Sequence, residues 1–327
     1  MPKISERSGL ILAALAAVLF SAKAILAKLM YRYGVDATTV ISLRLAFAGP
    51  VFGVIALIEQ RRARLSGQSL SWRDIGLVVL LGFLGYYLSS FLDFAGLQYI
   101  PAALERLILF LTPTLVAIIG LIALKKPITP RQIQALVISY LGIVIVFWSN
   151  AKAGLTASEN TLALTLGSAL CFAAACSYAV YLVLSGELVK RLGSLRLVAY
   201  AMCVSTVLTA LHFTLFATQS LLHLAWPVYA FSTANALFCT IIPVYLTMFS
   251  VQIIGAARTS QLSMLGPISL LFFGYFILHE HLSLLQLIGT GVVLIGVWQV
   301  MVPASAGKTE LPEPTPTNPP RNMDAPR

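Results

Sequence analysis

The second half of this sequence repeats its first at a fixed offset, and no other feature constrains the fold as tightly. Leu97-Gln98-Tyr99-Ile100-Pro101-Ala102-Ala103 returns 154 positions later as Val251-Gln252-Ile253-Ile254-Gly255-Ala256-Ala257. Without a gap, the same offset pairs Leu111-Thr112-Pro113 with Leu265-Gly266-Pro267, Gly120 with Gly274, Leu124 with Leu278, Gln132 with Gln286 and Gly142 with Gly296. Shared hydrophobicity does not produce such agreement. Each half holds five apolar segments, and an odd number of crossings sends the second copy into the bilayer upside down relative to the first. Inverted repeats of this kind mark secondary transporters.

Composition points the same way. The chain is 58% hydrophobic and only 10% charged, far from the roughly 25% charge of a soluble globular protein. Apolar stretches long enough to cross a hydrocarbon core about 30 Å thick fall at 8–30, 37–58, 75–97, 102–124, 132–149, 163–184, 197–217, 227–250, 256–278 and 283–302. The expected fold is an all-α integral membrane protein of ten transmembrane helices, two inverted five-helix repeats covering 8–149 and 163–302. The segment 150–160 reads as the linker between them. Residues 303–327 are polar and proline-rich, and such a segment cannot bury enough apolar surface to pack, so a disordered tail is expected.

The net charge of +10 does not imply nucleic acid. With the N-terminus cytoplasmic, thirteen lysines and arginines before the tail fall on the inner side and only Arg32 and Lys152 on the outer. That asymmetry is the positive-inside signal, and an even number of spans returns the C-terminus to the cytoplasm. The basic excess meets anionic lipid headgroups. Ala22-Lys23-Ala24 faintly resembles a signal-peptide cleavage site, but the apolar run continues to Met30, longer than a usual h-region, so the first segment is expected to remain as a span. Short loops favour a bacterial inner membrane. Cys171, Cys176, Cys203 and Cys239 lie inside apolar spans without metal-ligand spacing and read as small packing residues.

The paired repeats, Thr112-Pro113 and Gly266-Pro267 in mid-helix, Phe276-Ile277-Leu278-His279-Glu280 closing the ninth span, and Gly289 and Gly296 in the tenth together resemble the EamA-type repeat of the drug/metabolite transporter superfamily. The resemblance covers residues 8 to 302. The first copy departs from it, with Lys126 where the second has Glu280, so that glutamate reads as a local helix-terminal group. What the resemblance implies is a carrier of small organic molecules, often outward, with a central cavity lined mainly by the first, third, fourth, sixth, eighth and ninth helices.

Charge at bilayer depth is costly unless paired or facing water, so intramembrane charges are the first site candidates. Lys23, Arg44, Asp93, Glu105 and Arg106 all fall in the outer half of their helices at about 1.5 Å rise per residue. The tight turn near Gln98 to Pro101 brings Asp93 to the depth of Glu105 and Arg106, and the spacing predicts one network that gates the outer mouth. The offset equivalents are Thr247, Thr259 and Ser260, which leaves the inner vestibule polar but uncharged. Substrate or a proton then opens the outer gate without touching the inner one. The plainer reading pairs Glu105 with Arg106 and sends Arg44 and Lys28 to the headgroups by snorkelling.

Pro113 and Pro267 each remove a backbone donor in mid-helix and crowd the carbonyl four residues back. Interrupted helices in corresponding positions of inverted halves point to a midplane binding site. Pro50 and Pro243 have no partner at the offset and read as shape alone. Lys23, Tyr86, Tyr178, Tyr181, Asn235, Tyr245 and Gln261 supply charge, ring faces and hydrogen bonds at cavity depth, with Tyr86, Tyr178 and Gln261 nearest the middle. Three cations over two acids in the outer cluster would accommodate a carboxylate. Gly49 with Gly53, and Gly289 with Gly296, read as close helix contacts. His279-Glu280-His281 reads as a solvated loop at the outer edge.

No metal site or cofactor motif is present, and no phosphate-cradling glycine loop supports ATP hydrolysis, so energy is expected from an ion or substrate gradient. The expected function is export of amino acids, related metabolites or amphiphilic drugs by rocking of the two halves. Exchange of phosphorylated or nucleotide-linked sugars is the nearest alternative and needs cations at the cavity centre. An intramembrane enzyme would need an activated nucleophile or unpaired acids.

Overall fold

The computed structural model describes residues 5–68, 70–100, 102–154, 161–217, 219–266, 269 and 284–301. Among them every regular element is helical: α1 (Glu6–Tyr31), α2 (Ala37–Leu65), α3 (Trp72–Leu81), α4 (Ser89–Tyr99), α5 (Ala102–Leu109), α6 (Thr112–Leu124), α7 (Pro130–Gly154), α8 (Thr161–Leu192), α9 (Ser194–Phe216), α10 (Trp226–Ala236), α11 (Ile242–Ile254), α12 (Ala256–Leu262) and α13 (Leu284–Met301). A π-helical turn, Gly82–Leu88, joins α3 to α4, a second, Leu237–Ile241, joins α10 to α11, and a 3-10 turn, Ser263–Leu265, follows α12. Seven helical stretches among the described residues are long and apolar enough to cross a membrane, and Pro130–Ile145 and Leu287–Gln299 are shorter apolar helices. Pro267, the motif around Glu280 and the tail from 303 lie outside the described residues. The expected linker at 150–160 starts later than its composition suggests, because α7 runs on through Gly154.

Local signals set the helix ends. Asp36 caps α2 by accepting the Thr39 N–H at 2.8 Å, and Ser71 with Asp74 forms a reciprocal capping box at the start of α3, each satisfying donors that the first turn leaves orphaned. Gly193 joins α8 to α9 as a single residue at φ 77°, a backbone region that a Cβ disfavours. Gly193→Ala is expected to cost about 2 kcal/mol, read as a lowered denaturation midpoint in detergent micelles; an unchanged midpoint would mean the turn relaxes.

Side chains on the outside of the bundle are apolar, with Ile122, Val207 and Leu215 among those mostly exposed; a surface of this kind is stable against lipid and not against water. Between helices in lipid no hydrophobic force operates, so small residues that admit close backbone approach decide the crossings. A Cβ on Gly96 of α4 would sit 2.8 Å from the Gly167 carbonyl oxygen of α8, and one on Gly167 would sit 3.0 Å from that of Gly96. In the α7–α13 crossing a Cβ on Gly142 would meet the Gly289 oxygen at 2.7 Å, and one on Gly296 would meet Ser139 Oγ at 2.2 Å. A Cβ on Gly49 would sit 2.7 Å from Thr206 Cγ2 of α9, while one on Gly53 would meet open space, so the expected glycine pair in α2 acts through one member.

The principal packed pairs are α7 with α13, α2 with α9, α4 with α8 and α1 with α11. The 154-residue offset carries α7 onto α13 and α2 onto α9, and exchanges the other two pairs. It also superimposes the two π-helical turns. All four pairs join the first half of the chain to the second.

Candidate functional site

A central cavity of about 160 Å³ lies among these helices. Its wall takes Phe20 and Lys23 from α1, Arg44 from α2, Tyr86 from the first π turn, Asp93 from α4, Tyr178 from α8, Met202 from α9, Thr240 from the second π turn, Thr247 from α11 and Thr259 and Ser260 from α12. Six lining pairs are related by the offset: Gly85 and Cys239, Tyr86 and Thr240, Ser90 and Val244, Asp93 and Thr247, Leu109 and Ser263, Thr112 and Gly266. α2 and α9 contribute as well as the helices that the family resemblance implies.

The break in the fourth span and the 3-10 turn that follows α12 both border this space. The fourth span breaks between Leu109 and Thr112, as the proline at position 113 leads one to expect, and Pro113 occupies the first turn of α6, where its missing N–H costs nothing. The Phe110 carbonyl in the break accepts from Tyr140 Oη at 3.1 Å. On the other side, the Ser21 hydroxyl is shared between the carbonyl oxygens of Ala17 and Gly266 at 2.7 and 2.8 Å. Backbone groups freed by interruption are thereby satisfied by side chains of neighbouring helices.

The two ends of the cavity differ in charge. At one end the Lys23 ammonium pairs with Asp93 Oδ2, with Lys23 Nζ 5.4 Å and Arg44 Cζ 5.1 Å from the centroid of the Phe94 ring. At the other end Thr247, Thr259 and Ser260 are neutral hydroxyls, and Thr259 Oγ1 lies 2.9 Å from Ser250 Oγ. Tyr86 and Tyr178 form an aromatic wall, backed by Tyr181, whose ring centroid is 4.8 Å from the first and 5.6 Å from the second. No cluster of three or more His, Cys, Asp or Glu occurs among the described residues, and all four cysteines are free.

Of the residues singled out from sequence, Lys23, Tyr86, Tyr178 and Asp93 line the cavity. Asn235, Tyr245 and Gln261 do not: all three are buried in helix contacts outside the lining, with Tyr245 packed on Phe52 and Gln261 Nε2 3.4 Å from the Gln132 carbonyl oxygen. The expected Asp93–Glu105–Arg106 network takes another form. Helix rotation turns Asp93 toward Lys23 of α1. Glu105, fully buried, lies within electrostatic reach of Lys28 and Tyr31 instead of lining the cavity. The Arg106 side chain lies outside the described residues. Of the two sequence readings of Arg44, the structure agrees with the cavity-lining one and not with the headgroup anchor. Arg44 does not snorkel; its side chain is 5% exposed and turns inward onto Phe94, because it lies on the packed face of α2 with Ile41 and Ala48. The site reading rested on an arginine more than a turn inside a span being a candidate by default.

The family model described as the EamA-like transporter family matches residues 7–148 and again 165–302. The chain belongs to the EamA-like transporter family. As a family member it is a multi-pass membrane transporter of small molecules and not an enzyme. It is 31% identical over 298 residues to the uncharacterized transporter YcbK of Bacillus subtilis, covering 89% of this chain and 92% of that one. It is 24% identical over 261 residues to an S-adenosylmethionine/S-adenosylhomocysteine transporter of Chlamydia muridarum, covering 77% of this chain and 79% of the other. One crystal structure shares the fold at a TM-score of 0.71 and 17% identity, across 90% of this chain and 96% of its own.

Proposed function

We propose that this EamA-like protein is a ten-helix secondary carrier of two inverted five-helix repeats that exports amino acids or related small metabolites by alternating access. The observation that carries the reading is the cavity lined by offset-related residues, into which the interrupted fourth and ninth spans open. Substrate sites of carriers built from inverted repeats lie at such interrupted helices. The S-adenosylmethionine-type relatives, whose named substrates are amino-acid conjugates, favour the amino-acid class. Two cations and one carboxylate among the described lining residues are few for a multiply charged sugar phosphate.

Both termini are assigned to the cytoplasm of a bacterial inner membrane from the distribution of basic residues. Three ion pairs at that side join the halves: Glu6 to Arg258, Asp74 to Arg191 at 2.5 Å, and Lys126 to Glu187. Solvated pairs are each weak, but together they bias an equilibrium between conformers that differ by only a few kcal/mol. In this cycle the pairs hold the cytoplasmic end shut, and their parting lets the halves rock until the cavity opens inward. At the other end, substrate or a proton parts Lys23 from Asp93.

Counterflow in proteoliposomes tests the function: vesicles loaded with an unlabelled amino acid or S-adenosyl conjugate are expected to accumulate the labelled compound transiently. Exchange confined to sugar phosphates would replace the exporter reading with the exchanger one. The latch has its own test in a cysteine-free background carrying Ser260→Cys. Combined Asp74→Arg and Glu187→Lys is expected to raise the labelling rate from the cytoplasmic side about fivefold; an unchanged rate would remove the three pairs from the cycle.

A further inference from the structure

We propose that Arg44 is the docking point for an oxyanion of the transported molecule, so that the cavity selects compounds carrying a carboxylate. This rests on the carrier reading and names the chemistry of its substrate. Arg44 lines the cavity, is 5% exposed, and its Nε has no hydrogen bond. Asp93 is the carboxylate of the described lining, and Lys23 already engages it. Two cations therefore share one ring, Phe94, and one acid, which leaves a positive excess at a depth where an uncompensated charge is costly.

A ring face alone does not replace water around a guanidinium, whereas a carboxylate matches its planar fork through two parallel hydrogen bonds. A single carboxylate also balances the excess, while a phosphate dianion overshoots it. Thr112, at the start of α6, lines the same cavity; the positive end of that helix's dipole favours the same sign of ligand. Phe20, Tyr86 and Tyr178 offer apolar ring surface to the organic part.

The test is ligand-dependent thermal stabilisation of the purified full-length protein, in wild type, Arg44→Gln and Arg44→Lys. The probes are L-phenylalanine against L-phenylalaninamide and benzoate against benzamide, each pair sharing a ring and differing at the carboxylate. In wild type the acids are expected to half-saturate at concentrations about tenfold below the amides, the size of one charge-assisted contact. That gap closes in Arg44→Gln and is reduced in Arg44→Lys, which keeps the charge but loses the fork. Equal responses to acid and amide, no stabilisation by either acid, or a gap that survives Arg44→Gln overturns the subsite. Should Arg44→Gln fail to fold in its ligand-free melt, Arg44→Lys decides alone. Counterflow separates this failure from that of the carrier reading: exchange without preference for acids removes only the subsite, and exchange of no compound removes the carrier.

Discussion

Asp93→Asn lowers the unfolding free energy by about 3 kcal/mol and stops counterflow. The Lys23 ammonium and the Arg44 guanidinium would then face the cavity with no carboxylate among the described lining residues. Removing one partner of a buried pair leaves a desolvated charge, which costs more than the pair itself contributes. The double change Lys23→Met with Asp93→Leu removes both charges together and is expected to recover most of the stability while remaining inactive. Denaturant titration in mixed micelles reads the first quantity and proteoliposome exchange the second. A single variant as stable and active as wild type would mean that the pair neither holds the fold nor takes part in transport.

Gly296→Val is expected to cost a similar amount, about 3 kcal/mol, the upper range for overpacking. Its Cβ would fall 2.2 Å from Ser139 Oγ, 2.8 Å from the Ala135 carbonyl oxygen and 2.9 Å from Ser139 N. The hydroxyl can rotate away, but the two backbone atoms belong to α7 and move only with the whole helix. Gly291→Val, on the same helix with nothing within 4 Å of the added carbon, serves as the matched control and should change stability by less than about 0.5 kcal/mol. Heat-inactivation midpoints of the two variants side by side check this. If they fall together, helix propensity rather than the crossing controls the result.

These two expectations draw on different kinds of information. Gly296 was legible in advance: the offset pairs it with Gly142, and small residues at matched positions of apolar spans signal close contact. Asp93 was legible as an acid inside an apolar span, but its partner was not. Depth follows from a rise of about 1.5 Å per residue, whereas the partner depends on rotation about the helix axis. In a membrane span that rotation leaves little trace, because lipid-facing and interior faces are both apolar.

The same reason explains the other differences. Tyr86 and Tyr178 reach the cavity while Tyr245 packs against Phe52, although all three are tyrosines inside apolar spans. Arg44 read from sequence as either a cavity charge or an anchor, and it is buried against Phe94. The π-helical turns at 82–88 and 237–241 had no sequence signal of their own. Only the second is followed directly by a proline, Pro243, so proline does not explain the pair. What they share is a small residue on the cavity wall, Gly85 or Cys239.

The sequence by itself determined the membrane class, the helical character, the 154-residue offset of its repeat and the family, because these rest on hydrophobic run length and linear correspondence. Tertiary structure alone decided which charges meet, which tyrosines face the cavity and which of the two readings of Arg44 holds. Those choices depend on angles between packed helices, and hydrophobic pattern cannot encode such angles where lipid outside and protein inside are equally apolar.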